Sequence, residues 1–229
     1  MPVIRRLLAH YAADDERLVE QVLTSIRKPE SSLFQSVEPA PERWFVAELR
    51  QKVLAELPEK PVEIELDLEM VGEAFAPLTV VEKQAAWIEG MGYSPEQTGA
   101  MLRMAPATVG KIRERAAELI RGKSETWRRS VLAENGRRLG RLAAESRGSE
   151  CLPAKDFLDI LDGRTTWQRR EQVERHVTGC FHCVDHFCRM AEVIEILRGV
   201  KPLSEEESAR WQRVFGVEAP KKRRSWFGR

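Results

Sequence analysis

The sequence predicts an all-α protein: a helical N-terminal segment, a helix-turn-helix domain and a small helical bundle stapled by cysteine and histidine. Three observations predict it. Apolar residues recur at helical spacing along most of the 229 residues, and only Val62 to Leu68 alternate with period two. Ser and Thr stand where helix N-caps are needed, with Pro and Gly at the breaks. Three of the four cysteines crowd into nine residues, 180–188, beside histidine. The chain is 42% hydrophobic and 32% charged, enough to bury cores without spanning a bilayer. No signal-peptide pattern opens it, so a cytoplasmic protein with no membrane partner is expected.

Taken in order, Leu18, Val22 and Ile26, with Val19 and Leu23, form one apolar helical face. Phe45, Val46, Leu49, Val53, Leu54 and Leu57 form a second, stopped by Pro58. Pro29, Pro39 and Pro41 mark turns between them. Residues 59–73 carry six acids against Lys60 and read as an extended linker, with a strand or docking segment as the alternative.

Pro77, Leu78 and Thr79 open a helix that runs to Ile88 and breaks at Gly90 and Gly92. Ser94 is the next N-cap, with Pro95 at the first helical position and Glu96 and Gln97 in the first turn. That helix is short, 95–103, and another follows from Ala107. Two helices joined by so short a turn read as a helix-turn-helix. Gly99, placed mid-helix at a cost of ~1 kcal/mol relative to Ala, implies a close approach of the two helices. Residues 111–147 hold eleven bases against five acids, a local +6 hidden inside an overall +1. Such a block can neutralise phosphates, while Ala107, Thr108, Lys111, Ile112, Arg113 and Arg115 occupy the part of a recognition helix that faces base edges. A packing unit with a solvated basic face is the alternative.

His176, Cys180 and Cys183 form H-x3-C-x2-C. His176 and Cys180 share a helical face at i, i+4, and the C-x2-C spacing suits adjacent thiolates on tetrahedral zinc. Gly179 permits a break, and a helix starting after Cys180 turns its positive end toward the thiolates. Cys151 is the best candidate for a fourth ligand, with His182, His186 and Cys188 as substitutes. A redox dithiol and plain reduced core cysteines are the competing readings.

The run from Ile88 to Leu102, followed by Ala107-Thr108-Val109 and Arg115-Ala116, resembles region 4 of the sigma-70 family, in particular its extracytoplasmic-function group. The resemblance implies binding to a −35-like promoter element and to core RNA polymerase. Thr98, Arg103 and Gly110 depart from the pattern, Arg103 standing where the turn usually has Gly. The stretches 18–23 and 44–50 resemble region 2 only in part. Cys151, His176, Cys180 and Cys183, with the intervening Leu-Asp-Gly and an Arg/Glu-rich helix, resemble the zinc-binding anti-sigma domain. That family clamps sigma regions, and in some members oxidation of the thiolates releases the clamp.

The resulting division is a region-2-like segment over 1–58, an acidic linker over 59–76, the helix-turn-helix over 77–123, a basic connecting helix over 124–150, the zinc domain over 151–199 and a basic tail over 200–229. The expected function is a transcription-initiation regulator restrained by its own zinc module, with another sigma factor as a further partner. The alternative is a zinc-containing anti-sigma or adaptor protein, redox-sensing or not, without promoter recognition. No nucleophile–base pair or phosphate loop appears, so no enzyme and no small-molecule substrate is expected.

Overall fold

A computed structural model describes residues 2–11, 16–26, 41–58, 61–121 and 129–200, with positions 204–206, 209 and 213. Pro29, Pro39, Lys123, Arg128 and the basic-aromatic tail (221–224, Trp226, Phe227) lie outside the described residues, as do the side chains of Ile26 and Phe45. The fold of the described residues is all-α, with eleven helices and no strand. None is long and apolar enough to cross a membrane.

Helices α1 (Pro2–Tyr11), α2 (Glu16–Ile26) and α3 (Pro41–Glu56) surround Leu7, Leu8, Val19, Val22, Leu49 and Val53. The expected faces of α2 and α3 are the buried ones, and α3 stops two residues before Pro58. Helix α1 has no counterpart in the sequence reading.

The segment expected to be a linker divides. Residues 61–67 are non-helical, and Asn135 takes the place of a partner strand: its side chain donates to Ile64 O at 2.8 Å and accepts from Leu66 N at 3.1 Å. Beyond it, α4 (Leu68–Phe75) is capped by Asp67, whose carboxylate accepts from Met70 N. Leu66, Val71 and Phe75 are core residues, so this stretch is structural rather than a free connector.

Helices α5 (Val80–Gly90), α6 (Pro95–Leu102) and α7 (Pro106–Arg121) form the expected helix-turn-helix arrangement. Capping boxes start the first two: Thr79 with Glu82, and Ser94 with Gln97. Arg103 sits in the left-handed region (φ 55°) at the end of α6, the conformation glycine adopts most readily. At Gly99 an added Cβ would lie 2.6 Å from Met104 O, the close approach its position implied.

Helix α8 (Arg129–Glu145) crosses α5 closely enough that a Cβ on Gly136 would stand 1.7 Å from Gly90 O. Gly136→Ala is therefore expected to force the helices apart and cost about 1–3 kcal/mol or more, read as a drop in urea midpoint. Gly140→Ala, where the nearest atom is 3.5 Å away, is the matched control. Helices α9 (Ala154–Leu161), α10 (Trp167–Gly179) and α11 (Phe181–Gly199) are the last of the eleven.

Helix α11 organises everything else. Its N-terminal half joins one hydrophobic cluster with α4, α5, α8, α9 and α10 through Cys183, Val184, Phe187 and Cys188. Its C-terminal half, through Val193 and Ile196, joins the core of α1–α3. A buried polar knot lies between. Glu192 accepts from Arg50, Tyr11 and Tyr93, three donors from three other parts of the chain. Burial first, and the Glu192 charge with it, hold both tyrosines far above their ordinary range.

Candidate metal centre

Four ligand side chains meet where α10 gives way to α11. Helix α10 starts at Thr166, whose hydroxyl accepts from Arg169 N, and carries His176 in its last turn. Cys180 is extended (φ −125°, ψ 106°), ending one helix and preceding the next. That single non-helical residue lets His176, Cys180 and Cys183 converge. Cys151 arrives from the loop before α9, which ends at Asp162 and Gly163 (φ 72°). Asp162 in turn receives a 2.8 Å hydrogen bond from Arg43 of α3, which holds its carboxyl below the usual range.

The ligand atoms of Cys151, His176, Cys180 and Cys183 all lie within 4.8 Å of one another. Cys151 Sγ and Cys180 Sγ are 3.7 Å apart, and His176 Nε2 is 3.2 Å from Cys183 Sγ. Two thiolates each ~2.3 Å from a tetrahedral ion stand about 3.8 Å apart, whereas a disulfide draws sulfurs to ~2.05 Å. The spacing fits a shared cation. Backbone N–H groups of Gly148 and Leu152 point at Cys151 and Cys183 (3.3 and 3.5 Å), the kind of outer support that orients thiolate ligands. Burial first, then the neighbouring Cys180 and Cys151 sulfurs, push the Cys183 thiol up to about 12, against the Leu152 N–H. A cation relieves that crowding of negative charge. The cluster can hold a metal ion, with every ligand position filled by protein.

The substitute ligands are engaged elsewhere. His182 Nδ1 is 3.2 Å from Ala143 O and Ala144 O. Cys188 is fully buried, its Sγ directed at Gln84 O. His186 packs on Phe157, and burial lowers it to about 3, so it is neutral.

The six residues assigned to a DNA-facing surface divide. Ala107, Thr108 and Lys111 are exposed along the start of α7, and Ile112 is half-buried. Arg115 is exposed and pairs with Glu82 at 3.2 Å. Arg113 is a correction: it is 5% exposed, donating to Tyr93 O (2.7 Å) and Thr98 Oγ1 (3.0 Å). Its guanidinium ties the turn between α5 and α6 to α7 and is not presented to a ligand.

Sequence reasoning did not find the knot of Tyr11, Arg50, Tyr93 and Glu192. Its one visible signal is on α11, where Asp185, Arg189 and Glu192 recur at i, i+4 and i+7 inside the apolar run from Val184 to Val193. Charges on the buried stripe of a helix require partners from elsewhere. Searches against protein-family models, curated proteins and solved structures each found no match.

Proposed function

We propose that this chain is a regulator of transcription initiation. Its helix-turn-helix engages promoter DNA and core RNA polymerase, and a zinc-stapled helical module restrains that engagement in cis. The observation that carries the reading is the docking of the metal module on the helix-turn-helix itself. Trp87 of α5 donates to Asp185 of α11 at 3.1 Å and stacks on Phe181 with ring centroids 5.6 Å apart. Lys83 of α5 donates to Thr178 O at the end of α10 (2.7 Å). Helix α11 begins between two ligands, Cys180 and Cys183, so whatever fixes the metal also fixes the surface on which α5 rests. The donor set supports zinc: three thiolates and one imidazole in a closed, four-ligand arrangement suit a structural ion and leave no open position for a substrate.

The test is a promoter-run transcription assay with core polymerase, using the full chain with and without a zinc chelator, beside duplex binding by fluorescence anisotropy. Specific initiation or duplex binding that rises about tenfold on chelation is the expected result. Absence of both in either state overturns promoter recognition. A second reading then takes its place: an anti-sigma or adaptor protein, captured by a sigma factor or polymerase. The burial of Arg113 and the exposed Glu114 and Glu118 on α7 favour that second reading, since they thin the positive face that DNA would meet.

A further inference from the structure

Helix α10 reaches the hydrophobic core only through its second half, by way of Val173 and Val177. Its first six residues, 167–172, are all exposed. They begin with Trp167, which at 74% is the most exposed large apolar side chain among the described residues. The helix start is nonetheless firmly held. Thr166 caps it, and Arg169 forks onto Asp156 of α9 through Nε (3.3 Å) and a terminal nitrogen (2.6 Å). A tryptophan presented on a fixed helix needs no ordering before it meets a partner, and tryptophan is among the residues that most often anchor interfaces.

Trp167, Arg170, Glu171 and Glu174 line one shallow groove of about 320 Å³. They stand at i, i+3, i+4 and i+7, a single face of the helix. Arg170 engages Glu174 at 2.8 Å through Nε alone, and Glu171 accepts from Arg175 at 3.2 Å through one oxygen alone. Among the described residues, the terminal nitrogens of Arg170 and the second oxygen of Glu171 therefore have no partner. Donors and acceptor of opposite charge stand open side by side on this face. Its order, apolar then positive then negative, complements itself when reversed. Two copies laid antiparallel, with a two-fold axis between residues 170 and 171, set each Arg170 opposite Glu171 of the other copy. Trp167 then falls among Glu171, Glu174 and Arg175 of the second copy, where the arginine offers a cation–π contact. A parallel pairing sets Arg170 against Arg170 and is repelled.

We propose that the start of α10 is a homodimer interface whose occupant is a second copy of this chain, related by a two-fold axis. Each tryptophan brings ~150–250 Å². Two such anchors on short helix ends fall below the ~1,200–2,000 Å² of a stable interface, so the dimer is weak and concentration-dependent. The proposal does not depend on the transcription reading.

Sedimentation velocity on the full chain, from low to high micromolar concentration, tests it. The parent is expected to pass from monomer to dimer across that range. Trp167→Ala, at an exposed position, keeps the parent melting temperature and weakens dimerisation at least tenfold. Arg170→Glu sets like charges across the axis, as does Glu171→Arg, and each alone stays monomeric. Mixed together, these two variants regain opposite charges across the axis and dimerise with each other. A parent that stays monomeric overturns the proposal, leaving the face to a different protein or to a segment of this chain outside the described residues. It is equally overturned if Trp167→Ala associates like the parent, or if the mixture associates no more than either charge variant alone.

Discussion

Cys183→Ser is expected to lose the bound metal and to lower the melting temperature by roughly 6–12 °C. The reasoning starts from the position of Cys183, fully buried and in the first turn of α11. Structural zinc in isolated finger peptides is worth ~10–16 kcal/mol because little else holds them together. Here α9, α10 and α11 are also packed through Phe157, Val173, Val177 and Phe187, so the bundle keeps much of its core without the ion. A net loss of about 3 kcal/mol, at ~2–4 °C per kcal/mol for a chain of this size, gives the quoted range. Metal content by atomic absorption and melting by calorimetry check it. A variant that melts with the parent and retains a stoichiometric ion removes Cys183 from the ligand set. The same centre carries a pH dependence. With the Cys183 thiol raised to about 12, a metal must displace its proton near neutral pH. Apparent affinity therefore rises with pH, and a chelator strips the ion more readily at pH 6 than at pH 8.

Arg50→Met is expected to be as damaging through a different route. Removing one partner from a buried ion pair costs about 3–5 kcal/mol, because the other charge is left in a low-dielectric interior. Arg50 and Glu192 are both buried, 5% and 0% exposed. With Arg50 gone, Glu192 keeps only two phenolic donors, from Tyr11 and Tyr93. The melting temperature should fall by roughly 6–20 °C, using the same conversion. Adding Glu192→Gln to Arg50→Met removes the stranded charge and is expected to recover part of the loss. A double variant no better than the single one would mean the damage comes from lost packing around α3, not from the unpaired carboxylate.

Sequence reading reached furthest where the physics is local. The two capping boxes span four residues each, Thr79 to Glu82 and Ser94 to Gln97, so their pattern alone places the helix starts. The metal cluster was legible because His176, Cys180 and Cys183 are fixed relative to one another by helix geometry and one break. Cys151, distant in sequence, was the best candidate for the fourth position with His182, His186 and Cys188 left open, and the 3.7 Å sulfur separation places it with the others. What escaped was decided at a distance. Residues 68–75 are acidic at Glu69 and Glu73, and became helical because Val71, Ala74 and Phe75 find a core supplied by other helices. Arg113 carries the same charge as Lys111 and Arg115 on the same helix. Only the fold shows that its side chain turns inward to Tyr93 and Thr98 while Arg115 turns out. Asn135 looks like an ordinary helix-surface residue until the segment from Ile64 to Leu66 is seen resting on it.

The sharing of α11 by both hydrophobic clusters sets a timetable for synthesis. A ribosome releases the chain from its N-terminus at ~5–20 residues per second. Arg50 is separated from Glu192 by 142 residues, so it waits roughly 7–28 s for its counter-ion to be made. For that interval α1–α3 lacks Val193 and Ile196 from its core. Trp87 of the helix-turn-helix lies 98 residues before Asp185 and waits roughly 5–20 s for it and for Phe181. The nascent helix-turn-helix therefore spends its first seconds without the module that later covers it, and α11, the last of the eleven described helices to emerge, is the one that joins the two hydrophobic clusters.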